Sequence, residues 1–211
     1  MPRTSLKLKV CGMRDAQNIA ALAQLQPDYM GFIFYPGSKR YVAEMDPALV
    51  HKLPSSIKST GVFVNEEAAE VLRIAERYQL KALQLHGKES PEYCMFIKSE
   101  RPETELFKAF GVNEDFNFEL LHNYQDKVDY FLFDTQTAEH GGSGKTFDWS
   151  VLSKYQLEVP YFLSGGIGLD EVSQVRKIVD PRLYAVDVNS RFEISPAFKN
   201  IDQLTTFKNQ L

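Results

Sequence analysis

Cys11, His86, Asp134, Ser164 and Asp187 are the residues of this chain best suited to move a proton or attack a carbon, and each sits in a run with strand-like alternation. Lys9 and Cys11 share one parity against Leu8 and Val10, and Gln84 with His86 oppose Leu83 with Leu85. Asp134 has parity opposite to Phe131 and Phe133, and Asp187 with Asn189 opposes Val186 with Val188. A thiol works as a base or nucleophile only as thiolate, whereas a carboxyl works as an acid only if its surroundings hold the proton. Taken singly, each has a bland reading. A buried cysteine usually packs as a small hydrophobe, and a strand histidine or aspartate is usually satisfied by nearby backbone. Cys94, between Tyr93 and Met95, keeps the bland reading. The others gain weight because all five fall at the same end of their runs. Two glycine-bearing or polar turns add an anion site. Ser164-Gly165-Gly166-Ile167-Gly168 and Asp187-Val188-Asn189-Ser190 follow the last two runs, and glycines let backbone N–H groups approach an anion closely. Two tight turns without a ligand remain the plain alternative.

What must position these residues is a set of eight β-rich runs: Leu6–Met13, Asp28–Tyr35, Ile57–Val64, Ala82–His86, Glu105–Phe110, Tyr130–Thr135, Tyr161–Ser164 and Leu183–Asn189. Their centres lie about 22 to 30 residues apart, room for one strand, two loops and a short helix per unit. Asp15 suits the N-cap of a helix with Ile19, Leu22, Ala23 and Leu25 on one face. Glu66–Gln79 groups Ala69, Leu72 and Ala75, with Val71 and Ile74 flanking, and Ser90-Pro91 is a cap followed by a first-turn proline. Asp170–Ile178 reads as a short helix, while Asp46–Lys52 and Asn113–Tyr124 give weak helical signals. Strict β-then-α alternation predicts a parallel sheet, and eight units in this length predict an α/β fold, one (β/α)8 barrel over residues 1–211. A doubly wound open sheet is the alternative. In a barrel the strand C-termini form the active face, and the loops after strands seven and eight with an adjacent helix N-terminus often hold phosphate.

The chain has 211 residues, a net charge of −4 and 44% hydrophobic residues, values of an ordinary globular protein rather than a disordered one. The acidic balance and the lack of a Lys/Arg-rich run argue against nucleic acid as a partner. No run approaches the roughly 20 apolar residues of a membrane span. The N-terminal MPRTSLKLKVCGM lacks the continuous apolar core of a signal peptide. With only two cysteines, these features predict a cytoplasmic protein free of disulfides. Gly141–Thr146 imitates a phosphate-binding loop, but that motif needs glycine where Glu139 stands. Dinucleotide and zinc signatures are absent from the sequence.

Several motifs in order carry a family resemblance: KVCGM (Lys9–Met13), GFIFYPGSKRYV (Gly31–Val42), LQLHG (Leu83–Gly87) and FLFDT (Phe131–Thr135). They continue with GGSGKTFDW (Gly141–Trp149), LSGGI (Leu163–Ile167) and AVDVNSRFE (Ala185–Glu193). Together they resemble the phosphoribosylanthranilate isomerases of tryptophan biosynthesis. The resemblance implies an Amadori rearrangement by acid–base chemistry, with no redox step and therefore no cofactor or metal. It implies Cys11 as general base, Asp134 as general acid and Arg40 as the holder of the anthranilate carboxylate. The Gly165-Gly166 and Asn189-Ser190 backbones would take the phosphate, with His86 and Asp187 as further polar groups at the substrate. The implied partner is a phosphorylated small molecule, and contact with the next enzyme of the pathway stays open. Arg40 suits a carboxylate because its planar fork donates two parallel hydrogen bonds. Lys9, one step below Cys11, is expected to favour the thiolate. An apolar setting from Phe131 and Phe133 is expected to favour protonated Asp134. The family pattern after the eighth strand usually places a glycine where Arg191 stands, so the local backbone is expected to differ there. Two other functions fit fewer of these residues. A related sugar-phosphate isomerase would use two aspartates and show a half-barrel repeat. A non-catalytic barrel binding an anionic metabolite would need the glycine loops but not Cys11, Asp134 and Arg40 together.

Overall fold

In a computed structural model describing residues 6–136 and 146–211, eight parallel strands close into one barrel in chain order. The strands are β1 (Lys7–Val10), β2 (Tyr29–Ile33), β3 (Lys58–Phe63), β4 (Ala82–Leu85), β5 (Glu105–Val112), β6 (Tyr130–Thr135), β7 (Tyr161–Leu163) and β8 (Leu183–Val188). β8 closes on β1 with Lys9 level with Asp187. The eight runs expected from the sequence are thus the eight staves, and the open-sheet alternative falls. Glycine-rich Gly141–Lys145 lies outside the described residues. No helix among the described residues is long and apolar enough to cross a membrane.

Alternation along the strands divides the interior into two cores. Tyr29, Phe107, Leu132 and Phe162 point inward and plug the barrel, with the Tyr29 ring edge-on to Phe107 and Phe162 at 5.6 and 5.2 Å. Phe131 and Phe133, of opposite parity, pack outward with Tyr155 between the barrel and its outer layer. They therefore do not surround Asp134, correcting the apolar setting expected for it.

The outer layer is thinner than uniform β/α units would give. Among the described residues, ten-residue helices are confined to α1 (Ala16–Leu25), α3 (Ala68–Arg77), α4 (Pro91–Glu100) and α6 (Ile201–Gln210). Asp15 and Ser90 cap α1 and α4 through the N–H groups of Asn18 and Tyr93. α2 (Ala48–His51) is a single turn, and after β5 and β6 the chain forms 3-10 turns at Phe118–Asn123 and Trp149–Lys154. On α3 the buried face is Val71, Ile74 and Ala75, joined by Tyr78 just beyond it, while Ala69 is exposed. The larger side chains at i, i+3, i+4 and i+7 bury more apolar area than the alanine-centred face expected from the sequence. After β7 come a 3-10 turn, Leu169–Glu171, and the short α5 (Val172–Lys177). Past β8, a 3-10 turn at Ser190–Phe192 leads into a hairpin of β9 (Glu193–Ser195) and β10 (Phe198–Lys199).

Candidate active site

Strand ends deliver the polar residues to one cavity of about 650 Å³, whose lining includes Cys11, Arg40, His86, Asp134, Asp187 and Arg191. Each end is pinned by its neighbour: Cys11 N–H donates to the Val188 carbonyl, His86 N–H to Phe63 and Ser164 N–H to Phe133. Parity then turns Cys11, His86, Asp134, Ser164 and Asp187 to the inside, as their alternation predicts. Asn189, Ser190, Gly165 and Gly166 complete one side of the same cavity. A larger groove of about 980 Å³ runs between Trp149–Lys154 and α5, away from this face. Its Asp180–Arg182 pair is internally satisfied, with paired contacts of 2.9 Å, so the chemistry belongs to the smaller cavity.

Below Cys11, the Lys9 ammonium lies 2.8 Å from Asp187 Oδ2, both groups buried. Burial works against the Lys9 charge, but Asp187 and Cys11 outweigh it and hold the ammonium protonated. Burial pushes the Cys11 thiol above its ordinary value, while Lys9 and Lys199 pull it back and Asp187 adds to the rise. Lys9 thus favours the thiolate, as expected, without overcoming desolvation. Burial also raises Asp187, against the pull of Lys9. Asp187 Oδ1 is buried and has no hydrogen-bond partner among the described residues.

Across the cavity, Asp134 Oδ1 accepts from the Thr135 N–H at 2.8 Å, and Oδ2 lies 3.4 Å from His86 Nε2. His86 Nδ1 is 2.6 Å from Gln84 Nε2, leaving Gln84 Oε1 buried and without a hydrogen-bond partner among the described residues. With the Gln84 amide donating to Nδ1, the ring proton sits on Nε2 and faces Asp134. Gly165, at φ +92°, packs against this carboxylate so closely that a Cβ would fall 2.2 Å from Thr135 Oγ1 and 2.8 Å from Asp134 Oδ1. Only glycine fits there.

Arg40 is in the cavity but is not a free fork. Its Nε and Nη2 donate to Glu193 Oε1 and Oε2 at 2.8 and 2.7 Å, so the edge bearing Nη1 is the part of the fork left outside that pair. Gly165 and Gly166 both take positive φ. The helix N-terminus expected beside them is only a 3-10 turn, and its Gly168 N–H already donates to Glu171 Oε2 at 2.8 Å. Arg191 sits in the Ser190–Phe192 turn without a positive φ, so the missing glycine costs no strain. Its Nη2 lies 3.5 Å from Asp170 and 3.9 Å from Glu171. Cys94 is fully buried, its thiol pushed up to about 12 by burial. Sequence reasoning missed Lys199 and any task for Glu193, because both belong to the hairpin beyond the eighth strand. The signal available was a lysine and a glutamate of matching parity in EISPAFK.

A closed (β/α)8 barrel with a thiol and a carboxyl in one cavity at its strand C-termini defines the class of acid–base barrel enzymes. The family model for N-(5'-phosphoribosyl)anthranilate (PRA) isomerase matches residues 8–210, and the chain belongs to that family. The N-(5'-phosphoribosyl)anthranilate isomerase of Parabacteroides distasonis is 44% identical over 207 residues, covering 97% of this chain and 92% of the relative. The crystal structure of the Thermotoga maritima phosphoribosyl anthranilate isomerase superposes with a TM-score of 0.84 at 37% identity, covering 97% and 98% of the two chains. A phosphoribosyl anthranilate isomerase in complex with reduced 1-(o-carboxyphenylamino)-1-deoxyribulose 5-phosphate has a TM-score of 0.81 at 32% identity, with 97% of each chain covered. The resemblance carried by the sequence motifs is thereby borne out.

Proposed function

We infer that this chain converts N-(5-phosphoribosyl)anthranilate to 1-(2-carboxyphenylamino)-1-deoxyribulose 5-phosphate, a step of tryptophan biosynthesis. The observation that carries the reading is the meeting of Cys11, Asp134 and Arg40 with the Gly165-Gly166 and Asn189-Ser190 turns in one cavity. Family membership over nearly the whole chain supports it, as does a relative that holds a reduced product.

Protonated Asp134 donates to the furanose ring oxygen, the C1–oxygen bond breaks, and a protonated Schiff base forms. The Cys11 thiolate then takes the C2 proton, and the resulting enolamine tautomerises to the ketone. Both steps are proton transfers between placed groups. His86 orients Asp134, and Gln84 lets it serve both protonation states. If the Gln84 amide turns, Oε1 accepts from Nδ1–H and Nε2 accepts from the protonated acid. The oxygen that is unpaired in the present orientation gains a partner in that one. Arg40 holds the anthranilate carboxylate through Nη1, and the backbones of Gly165, Gly166, Asn189 and Ser190 hold the phosphate. Asp187 Oδ1 accepts a ribose hydroxyl. Two unpaired cysteines suit a reducing compartment, which supports a cytoplasmic location for a single catalytic barrel.

Freshly generated N-(5-phosphoribosyl)anthranilate, followed by its fluorescence, tests the reading. Wild type consumes it, whereas Cys11→Ala and Asp134→Asn each lose about 10²–10⁴ in kcat, the usual worth of a placed acid or base. Binding of a reduced product without any wild-type turnover would instead make the chain an anion-binding barrel that does no chemistry.

A further inference from the structure

Behind Arg40 and Asn189 lies a buried charge cluster that the proton transfers do not use. Lys199, at the end of β10, is buried, and its Nζ donates to Glu193 Oε1 at 2.6 Å and to Asn189 Oδ1 at 2.7 Å. Glu193 Oε1 also accepts from Arg40 Nε and from the Ala197 N–H at 3.0 Å, while Oε2 takes Arg40 Nη2. One carboxylate therefore serves two cations. Removing it would leave two buried positive groups facing each other, an arrangement far costlier than the cluster itself. Gly12, at φ +77°, is the third wall. A Cβ there would lie 2.7 Å from Arg40 Cδ and 2.8 Å from Asn189 Oδ1, so the backbone next to Cys11 closes directly on the cluster. Arg40 and Asn189 reach the cavity from the segments after the two strands that flank β1, and the Glu193–Lys199 pair links them.

Resting on the activity proposed above, we propose that Glu193 and Lys199 are positioning residues that fix Arg40 and Asn189 together. The hairpin then sets the carboxylate-binding and phosphate-binding groups as one unit. Glu193 occupies the Nε–Nη2 edge of the guanidinium, which immobilises its plane and presents Nη1 to the substrate. Lys199 holds the Asn189 side chain back, which leaves that residue's backbone to the phosphate. Neither residue touches substrate, so both act on binding. Loss of uniform binding raises KM and spares kcat, whereas a merely misfolded fraction lowers apparent kcat and leaves KM alone.

The test is a cycle of Glu193→Gln, Arg40→Ala and their combination, with folding checked by circular dichroism. Glu193→Gln is expected to raise KM about tenfold or more, the scale of a lost charged hydrogen bond, with a much smaller change in kcat. In the Arg40→Ala background the same substitution is expected to change KM by less than about twofold, since coupled residues are not additive. An equal effect in both backgrounds, or a fall in kcat at constant KM, overturns the proposal. If Glu193→Gln does not fold, Lys199→Met carries the test with inorganic phosphate as competitive inhibitor. Weaker inhibition by about tenfold is expected, and an unchanged inhibition constant overturns the role of Lys199. Absence of wild-type turnover is a separate result that strikes the proposed activity and not the cluster.

Discussion

Lys9 is the strongest of the charges that offset the burial of Cys11. The groups facing the thiol are Lys9 and Lys199, which favour the thiolate, Asp187, which opposes it, and Arg40, which also senses the thiolate charge. Burial exceeds their combined help, so the thiol titrates above its ordinary value and the thiolate fraction rises with pH. Replacing Lys9 by Met removes the larger favourable charge. If Asp187 stays ionised its repulsion is then unopposed, and if it protonates the net contribution of the pair is still lost, because Lys9 acts on Cys11 more strongly than Asp187 does. Either way the Cys11 titration moves up. The rate of iodoacetamide modification against pH reads this without requiring turnover. Cys94, fully buried and pushed up to about 12, does not interfere. A Lys9→Met profile superimposable on wild type would show that Lys9 only balances Asp187.

Asn18 of α1 hydrogen-bonds the hairpin β9–β10 through both backbone groups of one residue. Asn18 Nδ2 donates to the Lys199 carbonyl at 2.9 Å, and Asn18 Oδ1 accepts from the Lys199 N–H at 2.7 Å, all buried. Asn18→Ala strands both backbone groups, for about 2–4 kcal/mol at the usual cost of an unmet buried donor or acceptor. In a chain of this size that lowers Tm by roughly 4–16 °C. The neighbouring exposed Gln17→Ala, at about 0.5 kcal/mol or less, is the control. Matching melting curves for the two variants would mean that the hairpin does not depend on α1. These connections also mark where sequence reading stopped. Cys11, His86, Asp134 and Asp187 were legible because period-two alternation and a common strand end are local patterns. The Asn18–Lys199 and Arg40–Glu193 pairs join residues 181 and 153 positions apart, and they depend on the turn at Ala197, with φ +67°, that folds β10 back. The buried face of α3 differs from the spacing of its alanines for a smaller reason: Val71, Ile74 and Tyr78 have more apolar area to bury than Ala69.

Barrel closure leaves the last quarter of the molecule held by two buried-to-half-buried carboxylate clusters, one near each end of β8. Asp180 accepts from Arg182 Nε and Nη2 at 2.9 Å, and Arg182 Nη1 donates on to the Tyr155 and Leu157 carbonyls at 3.0 Å, tying the start of β8 to the segment before β7. At the other end Glu193 binds Arg40 and Lys199. In both, burial alone would raise the carboxyl, but the hydrogen-bonded cations prevail and hold it below its usual range. A carboxyl depressed in the folded state stabilises the fold fully above its unfolded value, about 3.9 for Asp and 4.3 for Glu. That contribution drains as pH falls through the lower folded value. The molecule is therefore expected to melt at nearly constant temperature from pH 7 to 5 as far as these two groups are concerned, then progressively lower below about pH 4. Asp180→Asn removes one of the two contributions. Its Tm is expected to start lower at pH 7 and to fall less steeply between pH 5 and pH 3 than that of wild type. Thermal melts at pH 7, 5, 4 and 3 check this, and parallel curves for the two proteins would place the acid lability in other carboxylates.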